Sequence, residues 1–545
     1  MLPSLRGRSR HPWRSERSCV LARRGLVASS VPMASAAGVE ALRRGGNAID
    51  AAIASAATLC VVEPMSTGLG GDAFALVASA RERRLLALNG SGRAPAAASL
   101  DAYRAQGLEE VPARGILSAT VPGAVHAWET LSRRLGALPL ADTLEPAIRA
   151  AEQGFVVTEL VAHYWDLLAR TGALANDAAR ATWLPEGRAP RAGETFRCPA
   201  QARTLRAIAK GGAAAFYRGE VAEAIVATSR AEGGCFAPGD LAGHESTWTT
   251  PITCDYRGVT VAEHPPNGQG LAALVGLAVL ARLGEPAPPG SALDWHRRIE
   301  AVKLAYADRD AYVADPEHAH VPVDALLDAA YAARRAARVG EQALAAPGPG
   351  LSHGDTIYCC AADEDGNLVS FIQSLFQGFG SGIACGDTGV LLQNRGAGFR
   401  LDPAHPNALA PGKRPFHTII PGMLLRAGEP WMAFGIMGGD VQAQAHLAFV
   451  SNLLDHGLNP QEALDRPRFR FVAGREVALE RPDLAVDEGG TLGAALAARG
   501  HRVLDPGEAM IDMFGGGQAV AREPDGTLVG ASDRRKDGCA LGWWE

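Results

Sequence analysis

Two strand-forming runs joined by a tight turn constrain the fold of this chain more than any other feature. The runs, 356–363 and 368–374, are rich in β-branched, aromatic and small apolar residues, and Glu364-Asp365-Gly366-Asn367 separates them. Asp-Gly between such runs predicts a β-hairpin, because glycine readily adopts the positive φ that a tight turn needs. A predicted loop rich in proline and glycine, 345–354, precedes the first strand. Thr356 therefore opens the hairpin directly after a loop.

Thr356 allows two interpretations at this position. The first is structural, because β-branched residues are common in strands. The second is chemical: cleavage of the bond between Asp355 and Thr356 would give an N-terminal threonine, whose α-amine can act as the general base for its own hydroxyl. The hairpin alone does not decide between them.

Composition limits the class of protein. The chain has 545 residues, of which 47% are hydrophobic and 21% charged, and its formal net charge is −6. These values are ordinary for a globular protein and give no basic field for nucleic acid. No apolar run approaches the roughly 20 residues of a membrane span. The nine cysteines lack metal-type spacing, which favours a reducing, cytoplasmic compartment without a bound metal.

Residues 1–24 differ from the rest of the chain. They contain seven arginines and one acidic residue, Glu16, and their only apolar run is Cys19-Val20-Leu21-Ala22. An export signal needs about 7–15 apolar residues after its basic end. We therefore expect residues 1–24 to be a disordered basic arm, and the globular part to begin at Gly25.

Helices and strands are predicted in blocks. Two helices, 34–42 and 48–61, with Asn47 as N-cap of the second, precede strands at 73–77 and 84–88. Helices dominate from 124 to 230, strands return at 249–263, and helices follow at 271–283, 295–313 and 323–339. Short strands and one helix, 441–456, come after the hairpin. Blocks of this kind favour an α+β fold over a doubly wound sheet.

A serine motif offers an alternative nucleophile. Gly350-Leu351-Ser352-His353-Gly354 matches G-x-S-x-G. A nucleophile elbow needs a strand before the serine and a helix after it, whereas here a predicted loop precedes Ser352 and a strand follows. Ser352 therefore remains the second choice.

Several motifs in a fixed order resemble the gamma-glutamyltransferase (glutathione hydrolase) family of N-terminal nucleophile hydrolases. The resemblance covers nearly the whole chain from Gly25. The motifs are Arg43-Arg44-Gly45-Gly46-Asn47-Ala48-Ile49-Asp50-Ala51-Ala52, Val62-Glu63-Pro64, Thr120-Val121-Pro122-Gly123, Lys303-Leu304-Ala305-Tyr306-Ala307-Asp308-Arg309, Gly412-Lys413-Arg414-Pro415 and Gly438-Gly439.

This resemblance implies a four-layer αββα sandwich and self-cleavage into a large subunit, 25–355, and a small subunit, 356–545. It places the nucleophile on Thr356 and a hydrogen-bonding hydroxyl on Ser374. It also assigns the oxyanion hole to the amides of Gly438 and Gly439, although a simple tight turn there is the structural alternative. No cofactor is implied, and the partners are a small-molecule amide and the two subunits of one precursor; a higher oligomer is left open.

The amino-acid clamp of the resembled transpeptidases is largely missing. Gly398 stands where an aspartate holds the substrate ammonium, and Arg395 stands where glutamine is common. Phe376 occupies a position where asparagine often contacts the amino group, and His417-Thr418 replace a serine pair.

A second departure concerns the arginine that binds the substrate carboxylate. Its position is taken by Ser91, and Arg93 lies two residues later. These changes resemble the branch that includes glutathione hydrolase-like proteins and oxamate amidohydrolases. We therefore expect a self-processing amidohydrolase or acyltransferase that cleaves a gamma-glutamyl amide, or an amide of a simpler carboxylate-bearing acid such as oxamate, through an acyl-threonine intermediate. Its expected substrate-binding residues are Arg93, Phe376, Arg395, His417 and Thr418. The alternatives are a serine hydrolase using Ser352 and an inactive binding homologue.

Overall fold

Two seven-stranded antiparallel sheets form the centre of the computed structural model, which describes residues 5, 15–345, 355–486, 489–505 and 514–544. The strands of these residues are β1 (Val20–Ala22), β2 (Gly25–Ser29), β3 (Asp72–Ser79), β4 (Arg84–Gly90), β5 (Phe155–Val156), β6 (Thr195–Phe196), β7 (Thr247–Thr249), β8 (Ile252–Tyr256), β9 (Val259–Glu263), β10 (Asp355–Asp363), β11 (Leu368–Phe376), β12 (Gly422–Arg426), β13 (Glu429–Met437), β14 (Phe469–Ala473), β15 (Glu476–Leu479), β16 (Arg502–Leu504), β17 (Gly516–Arg522), β18 (Leu528–Ser532) and β19 (Cys539–Trp543).

The sheet that contains the predicted hairpin is called the nucleophile sheet here, and its strand order is β19-β2-β10-β11-β3-β4-β7. The second, or partner, sheet has the order β1-β18-β17-β13-β12-β9-β8. Two small sheets, β14-β15-β16 and β5-β6, lie outside this pair. The hairpin β10–β11 therefore occupies the middle of its sheet.

The described residues also form a series of helices. They are α1 (Pro32–Arg43), α2 (Ala48–Val62), α3 (Leu100–Arg104), α4 (Ala124–Leu135), α5 (Leu140–Gln153), α6 (Glu159–Arg170), α7 (Asp177–Trp183), α8 (Pro199–Gly211), α9 (Ala213–Tyr217), α10 (Glu220–Ala231), α11 (Pro238–Ala242), α12 (Gly270–Leu280), α13 (Ala292–Tyr312), α14 (Val323–Leu326), α15 (Ala329–Ala336), α16 (Gln442–Leu454), α17 (Pro460–Asp465) and α18 (Leu492–Ala498).

Three apolar cores separate four layers. One core joins α1, α2, α4 and α5 to one face of the nucleophile sheet. Another lies between the two sheets and contains residues of β10, β11 and β13. The third joins the partner sheet to α12, α13 and α16. The α+β class and the αββα layering expected from the sequence are therefore confirmed.

Local sequence signals explain the element boundaries around the hairpin. Asn47 caps α2 by accepting hydrogen bonds from the amides of Ile49 and Asp50, as predicted. Asp363, at the end of β10, accepts a 2.8 Å hydrogen bond from the amide of Ala48. The hairpin turn is thereby attached to the start of α2, which fixes the helix layer against the sheet.

The expected single helix at 323–339 is two helices, α14 and α15, in the structure. Asp328 explains the break, since its carboxylate accepts hydrogen bonds from the amides of Ala330 and Tyr331 and caps α15. Aspartate favours such N-cap positions over helix interiors.

The expectation of a disordered arm through residue 24 is wrong for residues 15–24. Val20–Ala22 forms β1 and pairs with β18 at the edge of the partner sheet. The guanidinium of Arg17 donates hydrogen bonds to the carbonyls of Ser532 and Gly538, at 3.3 and 3.2 Å. Arginines in this segment bind backbone acceptors, so its basic composition does not indicate disorder.

No helix of the described residues is both long and apolar enough to cross a membrane.

Candidate active site

Thr356 is the second residue of β10, at the end of the strand away from the hairpin turn, and it is fully buried. The pairing of β10 with β11 is irregular between Asp355 and Ile357, so Thr356 occupies a register shift. Its Oγ1 lies 3.1 Å from Oγ of Ser374 on β11. The hairpin thus brings together the two hydroxyls that the sequence predicted to act together.

The hydrogen bonds around Ser374 orient its hydroxyl. Its Oγ accepts a 2.7 Å hydrogen bond from the amide of Phe376 and a 3.1 Å hydrogen bond from Nη2 of Arg395. With two donors directed at this oxygen, its own proton remains available for another acceptor, and either oxygen of the Thr356–Ser374 pair can be the donor. Ser374 can therefore donate to the threonine oxygen when that oxygen gains negative charge.

Arg395 is the buried cation of the site. It begins a short 3₁₀ turn, Arg395–Gly398, and its side chain is only 1% exposed. Nη1 donates a 2.7 Å hydrogen bond to Oγ1 of Thr418. Among the described residues no carboxylate forms an ion pair with Arg395, and its Nε lacks a hydrogen-bond partner. Burial lowers the pKa of Arg395 to about 9, and the more distant charge of Asp72 opposes this effect.

Phe376 supports the guanidinium of Arg395. Cζ of Arg395 lies 4.1 Å from the centroid of the phenyl ring, a cation–π contact. Phe376 has a positive φ of 82°, which is uncommon outside glycine. Phe376 and Thr418 therefore both belong to the surroundings of Arg395.

Gly438 and Gly439 form the turn between β13 and α16. Their φ values are +126° and +62°, and a Cβ on Gly438 would lie 2.9 Å from Cα of Gly515. Both positions require glycine on conformational grounds. Neither amide donates a hydrogen bond to another described residue. The turn also leads to Gln442, whose Nε2 lies 3.5 Å from Oγ1 of Thr356, so this segment borders the threonine.

Asp72 is a residue of the site that the sequence interpretation missed. It is fully buried at the start of β3, where it pairs directly with Ser374. Its Oδ2 lies 3.2 Å from Nε2 of His417, and its Oδ1 accepts a 3.0 Å hydrogen bond from the amide of Gly92. His417 therefore contacts a protein carboxylate. One sequence signal could have indicated Asp72: it is an acidic residue that directly follows a glycine turn and begins a mostly apolar strand.

Gln393 connects Asp72 with the turn that carries Arg395. Its Oε1 accepts a hydrogen bond from the amide of Arg395, and its Nε2 lies 3.5 Å from Oδ2 of Asp72. The extended segment that contains Gln393 crosses the glycine turn at Gly70. A Cβ added to Gly70 would lie 2.0 Å from the carbonyl oxygen of Leu391. Glycine at this position permits the close crossing that brings Arg395 to the hairpin.

Arg93 lies in a different environment. Its guanidinium pairs with Glu317 at 2.9 Å and donates to the carbonyl of Gly412 at 3.3 Å. Ser91, two residues earlier, is buried and donates a 2.7 Å hydrogen bond to Asn89. The structure therefore brings Phe376, Arg395, His417 and Thr418 into one network, and Arg93 is not part of it.

Gly398 leaves no side chain at the end of the Arg395 turn. A Cβ there would meet the carbonyl oxygen of Phe416 at 3.1 Å. Within the described part of the chain, no acidic group replaces it in contact with Arg395. The alternative nucleophile Ser352 lies outside the described residues.

A second buried polar cluster contains potential metal ligands. His296, Glu300 and His501 offer ligand atoms within 4.8 Å of one another. However, Nζ of Lys303 lies 2.7 Å from Oε1 of Glu300, and Nδ1 of His296 lies 2.8 Å from Nε2 of His501. A protonated lysine competes with a metal ion for the same carboxylate oxygen, so a hydrogen-bonded network describes this cluster better.

Comparisons with known proteins identify the family of this chain. A family model described as Gamma-glutamyltranspeptidase matches residues 34–543. The chain is 39% identical to the glutathione hydrolase-like YwrD proenzyme of Bacillus subtilis (strain 168), over 96% of this chain and 99% of that protein. It is 38% identical to the oxamate amidohydrolase proenzyme of Klebsiella pneumoniae, over 95% of this chain and 98% of that protein.

A solved structure extends the likeness to the whole fold. The crystal structure of cephalosporin acylase from Bacillus halodurans superposes with a TM-score of 0.92 at 45% identity, covering 98% of each chain. These relatives are amide-cleaving enzymes by name, and their fold is that of the N-terminal nucleophile hydrolases. The chain is therefore an enzyme of the gamma-glutamyltranspeptidase family.

Proposed function

We propose that this protein is a self-processing amidohydrolase that cleaves amides of carboxylate-bearing acids through an acyl-threonine intermediate on Thr356. The observation that carries this proposal is the environment of Arg395. A buried guanidinium next to the hydroxyl pair lacks an ion-pairing carboxylate among the described residues. A substrate carboxylate would supply one through a charge-assisted and potentially bidentate contact.

The same environment disfavours a gamma-glutamyl substrate. Such a substrate carries an ammonium as well as a carboxylate, and an ammonium buried without a partner costs several kcal/mol. Gly398 offers no anion, and Arg395 would repel the ammonium. Amides such as oxamate or a glutaryl amide present only the carboxylate. The name of the oxamate amidohydrolase supports this substrate class.

Self-cleavage would occur between Asp355 and Thr356, at the register shift of β10. It would give a large subunit, 25–355 with the arm before it, and a small subunit, 356–545. Both curated relatives are named proenzymes, which supports this step. In the precursor Thr356 is buried, so cleavage is also what would open the threonine to substrate.

The reaction would begin at the new N-terminus. The α-amine of Thr356, whose ordinary pKa is about 8, takes the hydroxyl proton as Oγ1 attacks the amide carbon. The amides of Gly438 and Gly439 stabilise the resulting oxyanion, and one such donor is worth about 3 kcal/mol. The proton passes to the leaving amine, and water then releases the acid from the threonine ester by the same route.

A comparison of substrates tests the proposal. We expect kcat/KM for glutaryl-anilide to exceed that for gamma-glutamyl-anilide by at least about tenfold. This ratio corresponds to a difference of about 1.4 kcal/mol in activation free energy. Arg395→Met should abolish this preference by lowering the rate with glutaryl-anilide. As a matched control, Arg203→Met removes a surface arginine that pairs with Asp387 and should change neither rate. A gamma-glutamyl preference that persists in Arg395→Met would contradict the assignment.

Two alternatives give different outcomes. A serine hydrolase would remain uncut and lose activity on Ser352→Ala, whereas an inactive homologue would bind ligand without turnover. We also propose a cytoplasmic location. All nine cysteines lie among the described residues and none is in a disulfide, as expected in a reducing compartment. Recovery of the protein outside the cytoplasm would contradict this.

A further inference from the structure

A buried carboxylate lies beside the proposed substrate site without contacting the cation. Asp72 is fully buried, and it accepts hydrogen bonds from Gly92, His417 and Gln393. It forms no ion pair with Arg395 within 4.0 Å, and Gln393 lies between the two. The guanidinium can therefore bind a substrate anion while Asp72 still acts on it through space.

The groups facing Asp72 come from several elements. They are Arg395 on the 3₁₀ turn, Arg414 and His417 on the segment before β12, Tyr217 at the end of α9, and His264 after β9, which acts through His417. Burial raises the pKa of Tyr217 and lowers the pKa of His264 to about 4. Neither changes charge between pH 6 and 8.5.

His417 is neutral and has a defined tautomer. Its Nδ1 accepts a 3.4 Å hydrogen bond from the amide of Ile419, so its proton resides on Nε2 and is donated to Asp72. Burial holds the pKa of His417 well below its ordinary value, and the nearby Arg395 adds to this. Burial also raises the pKa of Asp72 to about 7, against the opposing effect of Arg395. Among these groups, Asp72 is the one that titrates near neutral pH.

We infer that Asp72 is a specificity-determining residue that couples binding of a substrate carboxylate at Arg395 to the uptake of a proton by Asp72. The inference rests on the proposed function. When Asp72 is ionised, it balances Arg395, and a second anion in the site is repelled. When Asp72 takes a proton from solvent, Arg395 has its full charge for the substrate carboxylate. No bond of the substrate breaks in this step, and the proton returns to solvent when the anion leaves.

The coupling predicts that anions bind more weakly as pH rises, while neutral ligands do not. Butyrate and butyramide are a matched pair of inhibitors that differ mainly in charge. The assay measures inhibition of glutaryl-anilide hydrolysis by the mature enzyme. We expect the inhibition constant of butyrate to rise on the order of tenfold from pH 6 to 8.5, because a charge–charge interaction at short range has an energy of this size. The inhibition constant of butyramide should change by less than about twofold over this range. Because butyramide is neutral, it is the control for titration of the Thr356 amine.

Asp72→Asn removes the charge and most of the pH dependence. In this variant the inhibition constant of butyrate should stay near its pH 6 value up to about pH 7.5, where Arg395, with a pKa of about 9, is still charged. Titration calorimetry of butyrate in two buffers of different ionisation enthalpy should show uptake of about half a proton at pH 7.5 in the wild type, and close to none in the variant.

The outcomes separate this inference from the proposed function. A wild-type protein that is uncut, or that does not hydrolyse glutaryl-anilide, would overturn the proposed function itself. An active enzyme that binds butyrate without proton uptake would overturn only the coupling. This measurement uses the wild-type protein, so it does not depend on the folding of a variant. A gamma-glutamyl preference that Asp72→Asn abolishes would make Asp72 an ammonium partner and also overturn the coupling.

Discussion

Ser374 lies directly opposite Asp72 in the pairing of β11 with β3. Side chains of paired residues point to the same face of a sheet. That face is the layer between the two sheets, where the neighbouring Phe74 and Ile372 are buried. Main-chain pairing therefore fixes the carboxylate and the hydroxyl relative to each other, at one end of the central core.

Processing depends on the hydroxyl of Thr356. We expect Thr356→Ala to remain one chain and Thr356→Ser to be cut slowly, because serine keeps the nucleophilic oxygen. Intact mass of the purified proteins distinguishes them, and the smaller product should begin at residue 356. Cleavage and turnover by Thr356→Ala would remove the threonine from its assigned role.

The hydroxyl of Ser374 should contribute to the chemical step. Ser374→Ala should lower kcat by about 10- to 100-fold, because a hydrogen bond to a charged oxygen is worth about 1.5–3 kcal/mol. Ser370→Ala, on the same strand, is the control. Its hydroxyl bonds to Tyr358 and should affect the free energy of unfolding instead of kcat. Equal losses of kcat in both variants would show that Ser374 acts through the fold.

The two arginines suggested by the sequence should differ in their effect on substrate binding. Arg93 pairs with Glu317, which is half exposed, and such pairs contribute about 0–1 kcal/mol. We therefore expect Arg93→Ala to change KM for glutaryl-anilide less than about threefold. A large increase in KM, as expected for Arg395→Met, would return Arg93 to the substrate site.

Gly438→Ala should impair both stability and rate. An alanine must adopt φ near +126° there and approach Gly515 at 2.9 Å. Gly428→Ala is the matched control, since Gly428 has φ +84° and no neighbour within 4 Å of its Cβ position. Thermal denaturation should show a loss of about 1 kcal/mol in the control and more in Gly438→Ala. The kcat should fall in Gly438→Ala alone.

The buried carboxylate of Asp533 should make folding sensitive to acid. Burial alone would raise its pKa, but Arg468 and Arg535 hold the pKa of Asp533 at about 2. Because this value lies below the ordinary value of 3.8, the ionised group stabilises the fold above about pH 4. That contribution is lost as pH falls through about 4 toward 2.

Asp533→Asn should therefore lower the free energy of unfolding at pH 7 by about 3–5 kcal/mol and flatten its dependence on acid. Denaturant unfolding at pH 7 and pH 3 provides the comparison. Asp483→Asn, at an exposed pair with Arg481, should leave the unfolding curve unchanged. An equal acid dependence in wild type and Asp533→Asn would show that other carboxylates determine it.

Local patterns predicted the hairpin, the α2 cap and most helices, because these depend on neighbouring residues. Ser374 is likewise fixed relative to Thr356 by the short hairpin. Asp72 was missed because its role arises from contacts with His417 and Gln393, 345 and 321 residues away. The surroundings of Arg93 could not be predicted because its partners, Glu317 and Gly412, are distant in sequence. The ordered segment at 15–24 was hidden by its arginines, whose backbone acceptors lie more than 500 residues away.

The order of strands has a consequence for refolding. Residues before Thr356 contribute β2, which lies between β19 and β10 of the later part of the chain, and β9, which pairs with β12. Cleavage would leave two interleaved polypeptides whose strands share both sheets, so neither could keep a complete core alone. Folding of the precursor is a unimolecular process independent of concentration. After cleavage, recovery from denaturation would become bimolecular, and the lifetime of the mature enzyme would depend on how slowly it unfolds.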